Sequence, residues 1–411
     1  MRHASAATGY PDVAALRDAA GRLVTDPARL PDVVAGFWES VCQPPPLPSP
    51  SERTAVLAAL SVQSRLLPPE RLEALGDPSV SVAEVDRALS QAKPGTSPGW
   101  DGIPVDLLRA FRAELAPALA RLFSAIGNLK QPPAGFLKGV ISVIFKGRGA
   151  DRTAPGSYRP ITLLCTDSRL LARVLANRLS PCLSTAIPLE QSAFLPGRSI
   201  GANTRFLRCL PHLLQQQQRS AIVAFLDFAK AYDTIDRSVL FALMERMGVG
   251  PGFLAWAQLL LMDTLAVASV NGYLSRVVRL HAGVRQGCPL APLLYLFVAY
   301  ALLCWLQERG VGVGLGGDAS ATRVTASQFA DDTQVTLNSA DEVPGFLELM
   351  AVFARASRQH LNPTKVKLLP VGRQPPVDGP APPEADAVLD GVLAQTAKVV
   401  DRCLGPDDSG R

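Results

Sequence analysis

Ser327-Gln328-Phe329-Ala330-Asp331-Asp332-Thr333-Gln334-Val335 sets two adjacent carboxylates between two β-prone runs, Arg323 to Phe329 and Gln334 to Leu337. Paired acids are poor strand residues, so this stretch reads as a hairpin with Asp331 and Asp332 at its turn. From a turn, both side chains can leave the sheet and face one site. Two such groups repel unless a cation lies between them, and oxygen-only ligands suit Mg²⁺. Asp-Asp is also a common solvated turn. A third acid lies upstream, in Ile222-Val223-Ala224-Phe225-Leu226-Asp227-Phe228. This run is apolar enough for a buried strand, and an acid at its end must be paired, coordinated or protonated. Beside the hairpin, Asp227 completes a cluster of three carboxylates able to hold two Mg²⁺ ions for phosphoryl transfer. Further along, Asp236 is placed to cap a helix over Arg237 to Met247.

Leu226-Asp227-Phe228-Ala229-Lys230-Ala231-Tyr232-Asp233 and Phe329-Ala330-Asp331-Asp332 resemble the two catalytic motifs of reverse transcriptases. Tyr158-Arg159-Pro160-Ile161-Thr162-Leu163-Leu164, Gln191-Ser192-Ala193-Phe194, Gly283-Val284-Arg285-Gln286-Gly287-Cys288-Pro289-Leu290 and Leu361-Asn362-Pro363-Thr364-Lys365 resemble further motifs of the non-LTR, LINE-type retrotransposon branch. They follow in family order from about Pro94 to Lys367, and six ordered motifs are specific where Ala-Asp-Asp alone is weak.

The resemblance implies an α+β, right-hand polymerase fold of fingers and palm, with a mostly antiparallel palm sheet packed on helices. It implies an RNA-directed DNA polymerase that adds deoxynucleotides to a DNA primer 3′-end on an RNA template. Asp227, Asp331 and Asp332 are then the ligands of two Mg²⁺ ions, for which Mn²⁺ can substitute. Lys146 and Arg159 would grip the triphosphate of the incoming dNTP or the template backbone, with Arg148 added from its position in the adjoining glycine loop. Tyr232 would stack under the sugar and exclude a 2′-hydroxyl, although an ordinary core tyrosine also fits. Gln286 would lie beside the sugar, and Gly287 would let the backbone come close. Gly197 and Arg198 would follow the template strand. Lys365 would protonate the leaving pyrophosphate, although a surface lysine is a simpler reading. Two departures matter. The chain stops where a thumb should begin, and no endonuclease or RNase H segment is present. A truncated or repurposed fragment that binds RNA without catalysis, and an RNA-dependent RNA polymerase of the same palm type, therefore stay open.

Length and charge agree with a nucleic-acid enzyme. The 411 residues are 48% hydrophobic and 19% charged, enough for a sizeable buried core. Residues 121–220 hold fourteen Lys/Arg against three Asp/Glu, 14 − 3 = +11, which leaves +5 − 11 = −6 for the rest. A basic block beside an acidic half suits a groove that feeds a metal centre. Seven scattered cysteines without Cys-x-x-Cys spacing read as reduced thiols, and no secretory signal opens the chain, so an intracellular protein of nucleus or cytoplasm is expected. Leu290 to Leu306 is uncharged, but Pro292 and the short length favour a buried helix over a membrane span. The expected division is a lead with a Pro-rich linker at 1–80, fingers and template-binding region at 81–220, palm at 221–369 and a Pro-rich flexible tail at 370–411. Within the fingers, Ser81 and Glu84 form a capping box, Thr166 is placed to cap a long helix, and Arg169, Arg173 and Arg178 line its outer face.

Overall fold

Alternating and continuous apolar runs on either side of the carboxylates build two larger sheets, which helices cover, beside two two-stranded ones. The computed structural model describes residues 12–44, 50–63, 74–147, 149–316, 322–363 and 365–373. In chain order the elements are β1 (Leu16–Arg17), β2 (Leu23–Val24), α1 (Leu30–Val41), α2 (Pro50–Gln63), α3 (Val82–Gln91), α4 (Val105–Ala110), α5 (Arg112–Leu129), β3 (Gly139–Phe145), β4 (Tyr158–Leu164), α6 (Thr166–Ala186) and α7 (Ile200–Gln216). Then come β5 (Ser220–Leu226), α8 (Ala231–Thr234), α9 (Arg237–Arg246), α10 (Pro251–Leu261), β6 (Thr264–Val270), β7 (Tyr273–Leu274) and β8 (Val278–Leu280). The last are α11 (Ala291–Glu308), β9 (Val313–Leu315), β10 (Thr322–Val324), β11 (Ala326–Phe329), β12 (Asp332–Leu337), α12 (Val343–Ser357) and β13 (Lys367–Gly372).

The sheet that carries the carboxylates has the order β11-β12-β5-β13, every pair antiparallel. Behind it lies α11, in which every residue from Leu293 to Leu306 is buried. Its length and composition would cross a membrane, yet it packs against α2, α6, α9 and α12 and shares one core with Ala224, Leu226, Val335 and Leu337 of the sheet. Burial on all sides explains why the helix has no polar face.

The second sheet is β4-β3-β6-β7, with β8 on β6 and the β3–β6 pair parallel. Asn271 and Gly272 join β6 to β7 with positive φ at both positions, as the Asn-Gly signal demands. Over this sheet lies α1, burying Leu30, Val34, Ala35 and Trp38 against Ala266, Ala268 and Val278. The apolar stripe of α1 is covered by this sheet, and α2 docks on α11 and α12.

Other expectations shift by small amounts. The Ser81 capping box is present, as is the Asp236 cap, which accepts from Ser238 N and Val239 N. Thr166 does not cap α6: its hydroxyl donates to Ile103 O, and Cys165 takes the cap position. Strand β13 runs to Gly372, past the expected boundary at 369, because Pro370 to Gly372 still pair with β5. The Pro-rich tail from 374, residues 1–11, Arg148 and Thr364 lie outside the described residues.

Candidate active site

Asp227 follows the last residue of β5, where the apolar strand has run out of sheet. The pair Thr333↔Leu226 sets the register, so the next position along brings Asp332 beside Asp227. Asp331 is in the turn and Asp332 is already the first residue of β12, one residue further into the strand than expected. The turn proper is Ala330-Asp331, closed by the Phe329↔Asp332 pair, with Ala330 at φ +59°. That conformation is unfavourable for alanine, and Gln191 holds it. The Gln191 side chain, 1% exposed, accepts from Ala330 N at 2.9 Å and donates to Ala330 O at 3.2 Å. Ser192 N donates to Gln328 O and Gln328 N to Glu190 O, a short parallel bridge that fixes Gln191 in place.

Three carboxyl groups in one place disturb one another. Burial, then the charges of Asp332 and Asp227, push the Asp331 carboxyl up to about 6. Asp332 is also raised, by burial and then by Asp227, with Lys365 opposing. The chain at 360–363 runs beside 227–229, with Asn362 N donating to Asp227 O and Ala229 N to His360 O. It brings Lys365 Nζ to 3.3 Å from Asp227.

Cations gather next to the acids. Lys146 Nζ donates to Gly156 O at 2.7 Å, and its amine is held below the usual lysine range by burial, then by Lys230, Lys365 and Arg159. Arg159 is exposed on β4. Lys230 Nζ lies 5.4 Å from the centre of the Phe37 ring of α1. Tyr232 stacks on Tyr295 of α11 with ring centres 4.7 Å apart, and burial, then Asp331 and Asp332, hold its hydroxyl proton tightly. Tyr232 is half-buried and packs against the main core. Gln286 Nε2 donates to Asp233 Oδ2 at 2.9 Å. The close approach that Gly287 permits is to protein: φ is +109°, and a Cβ there would lie 2.5 Å from Thr162 O of β4.

Arg198 is bound within the protein. Its guanidinium donates to the carbonyls of Ser184, Ile187, Pro188 and Gln191, so it closes the C-terminus of α6 and supports the Gln191 segment. Gly197, beside it at φ +73°, faces open space. Arg178 is likewise spent on protein, bound to Glu84 and to the carbonyls of Asp77 and Ser79.

Oxygen-only carboxylates, of which Asp331 and Asp332 are raised by burial and then by neighbouring negative charge, form a donor set that a hard divalent cation fits. Among the described residues a tighter acidic group is Asp101, Cys165 and Asp167, with ligand atoms within 4.8 Å of one another. Burial raises the Cys165 thiol. Sequence reasoning gave no role to Gln191, Lys230, Asp233 or Tyr295. Their contacts join distant segments, and no local periodicity signals them.

Residues 146–378 match the family model described as reverse transcriptase (RNA-dependent DNA polymerase), more than half of the chain. The chain is 28% identical over 345 residues to the transposon TX1 uncharacterized 149 kDa protein of Xenopus laevis, covering 84% of this chain and 26% of that protein. It is 28% identical over 283 residues to the Retrovirus-related Pol polyprotein from type-1 retrotransposable element R2 of Popillia japonica, covering 69% and 38%. It is also 28% identical over 265 residues to the RNA-directed DNA polymerase from mobile element jockey of Drosophila melanogaster, covering 64% and 28%. The chain thus spans well under half the length of these curated relatives.

Proposed function

This chain belongs to the reverse transcriptase (RNA-dependent DNA polymerase) family, and on that premise we propose that it is the polymerase part of a non-LTR, LINE-type retrotransposon protein. Its reaction is the template-directed addition of deoxynucleotides to a primer 3′-end. The observation that carries this reading is the meeting of Asp227, Asp331 and Asp332 at adjoining strand ends, with Lys146, Arg159, Lys230 and Lys365 gathered beside them. Acids on one side and cations on the other are what a metal-bound triphosphate requires.

Asp227, Asp331 and Asp332 would hold two Mg²⁺ ions. Bound there, Mg²⁺ supplies positive charge that lowers the pKa of a 3′-hydroxyl and neutralises the triphosphate. Lys146 and Arg159 bind phosphate oxygens, Arg159 through paired N–H donors and Lys146 as a point charge. Tyr232 fills the space of a 2′-hydroxyl and so selects deoxynucleotides. Lys365, ion-paired with Asp227 here, would give a proton to the leaving pyrophosphate.

Primer extension on an RNA template in Mg²⁺, with dNTPs and NTPs compared, tests the reading. Extension with dNTPs is expected. RNA binding without extension would identify a repurposed fragment, and preference for NTPs an RNA polymerase.

A further inference from the structure

The cations beside the acids include one that no acid holds. Among the described residues no carboxylate forms an ion pair with Lys230, although it follows closely on Asp227. Its main chain is left-handed, with φ +53°, and its carbonyl accepts from Asp233 N at 2.9 Å and from Thr234 N and Oγ1 at 3.1 Å each. The backbone is thus fixed where the chain turns into α8. The side chain ends over the face of the Phe37 ring, with Nζ 5.4 Å from its centre. Phe37 belongs to α1, outside the residues 146–378 that match the family model.

The same ring touches the support of a second lysine. A Cβ added to Gly156 would meet Phe37 Cζ at 3.3 Å, so the ring packs on the glycine itself, and Gly156 O accepts from Lys146 Nζ at 2.7 Å. Burial and then the charge of Lys230 lower the Lys146 amine, as expected of neighbouring ammonium groups. The ring is in turn held from behind. It meets Trp38 edge-to-face with ring centres 5.2 Å apart, and Trp38 is 2% exposed against the second sheet. At the end of α1, Cys42 O accepts from His281 N and Ala282 N, which ties the helix down past β8.

We propose that Phe37 is a positioning residue of the polymerase site: the face of its ring holds Lys230, and its packing on Gly156 holds the seat of Lys146, so that both ammonium groups stand ready for the triphosphate. This rests on the polymerase reading above. An aromatic ring attracts a cation without neutralising it. A carboxylate in the same place would hold Lys230 as firmly, but it would compete with phosphate for the charge. A free lysine loses rotamer freedom when it meets a ligand, whereas one already held has little left to lose. An aliphatic side chain on α1 would also cover the sheet, but it has no negative face to offer Lys230.

The test is single-nucleotide insertion by the full chain on an RNA template, with KM for dTTP and kcat measured separately. Phe37→Leu removes the ring. Replacing Phe37 by 3,5-difluorophenylalanine instead keeps the shape and weakens the negative face. KM should rise about three- to tenfold in Phe37→Leu and by less with the difluoro ring, while kcat changes little. In a Lys230→Met background the difluoro ring should have no further effect, because only the contact with the cation was altered. A KM that ignores fluorination, or that rises equally in the Lys230→Met background, would overturn the positioning role and leave the polymerase reading standing. So would a Phe37→Leu variant that loses kcat and melting temperature together at constant KM, which is the mark of packing alone. If Phe37→Leu does not fold, the difluoro ring decides. A wild type that extends no primer overturns the polymerase reading and this inference with it.

Discussion

Single carboxyl groups here trade stability for chemistry. The Asp331 carboxyl stands at about 6 in the fold against 3.8 in an unfolded chain. The folded state therefore holds the proton more tightly, and its advantage is full below the unfolded value and lost as pH rises through about 6. Without metal, the wild type should melt higher at pH 5 than at pH 8. Asp331→Asn should weaken that dependence, to which Asp332 and Asp233 also contribute, and gain on the order of 3 kcal/mol at pH 8. It should also abolish primer extension by about a hundredfold or more, with RNA affinity nearly unchanged. Thermal melts with and without Mg²⁺, beside an extension assay, check both halves, and a variant that extends normally would remove Asp331 from the metal site. Tyr232→Ala should act differently. The ring stacks on Tyr295 at the border of the core, so ribonucleotide use should rise relative to deoxynucleotide use, with some loss of melting temperature but a folded chain. A constant dNTP/NTP ratio would return Tyr232 to a packing role.

The hairpin of β11 and β12 depends on a partner far away in sequence. Gln191 satisfies both main-chain groups of Ala330 from a position 139 residues upstream. Gln191→Leu should leave two buried polar groups unpaired and release the left-handed turn, at a cost of about 1–3 kcal/mol each. Extension should fall far more than RNA binding, because Asp331 lies in that turn. Equal losses in both assays would mean that the substitution unfolds the chain instead. The same contact explains how much could be read beforehand. The acids, the strand before Asp227, the Asn-Gly hairpin and the buried helix at 291–308 were all legible, since each is a local pattern of polarity or turn chemistry. The roles of Gln191, Arg198 and α1 were not. Arg198 looks like a free cation in the sequence, and only the fold reveals four carbonyls around it. Arg237 is a similar case: a residue at a helix start, 6% exposed, whose guanidinium donates to Gly283 O, Leu280 O, Ala282 O and Leu261 O.

Over the whole molecule, the basic block at 121–220 is weaker as a nucleic-acid surface than its net +11 suggests. Arg178 and Arg198 are committed to protein, as is Arg219, which donates to Gly314 O. Full engagement of eleven charges by single-stranded RNA would give a slope of log affinity against log salt near −0.7 × 11, about −8. We expect a slope of about −5 or shallower between roughly 50 and 200 mM salt. Filter binding at a series of salt concentrations measures it, and a slope near −8 would show that these arginines leave their carbonyls for phosphate. The central place of β5 has a different consequence, one that concerns synthesis. Its two sheet neighbours, β12 and β13, begin at Asp332 and Lys367, so the nearer comes 332 − 226 = 106 residues after β5 ends. At about 5–20 residues per second, a ribosome needs on the order of 5–20 s to make that stretch. Through that interval the most apolar strand of the carboxylate sheet has emerged with both edges bare, and the nascent chain must be shielded by chaperones or by α7 folding over it.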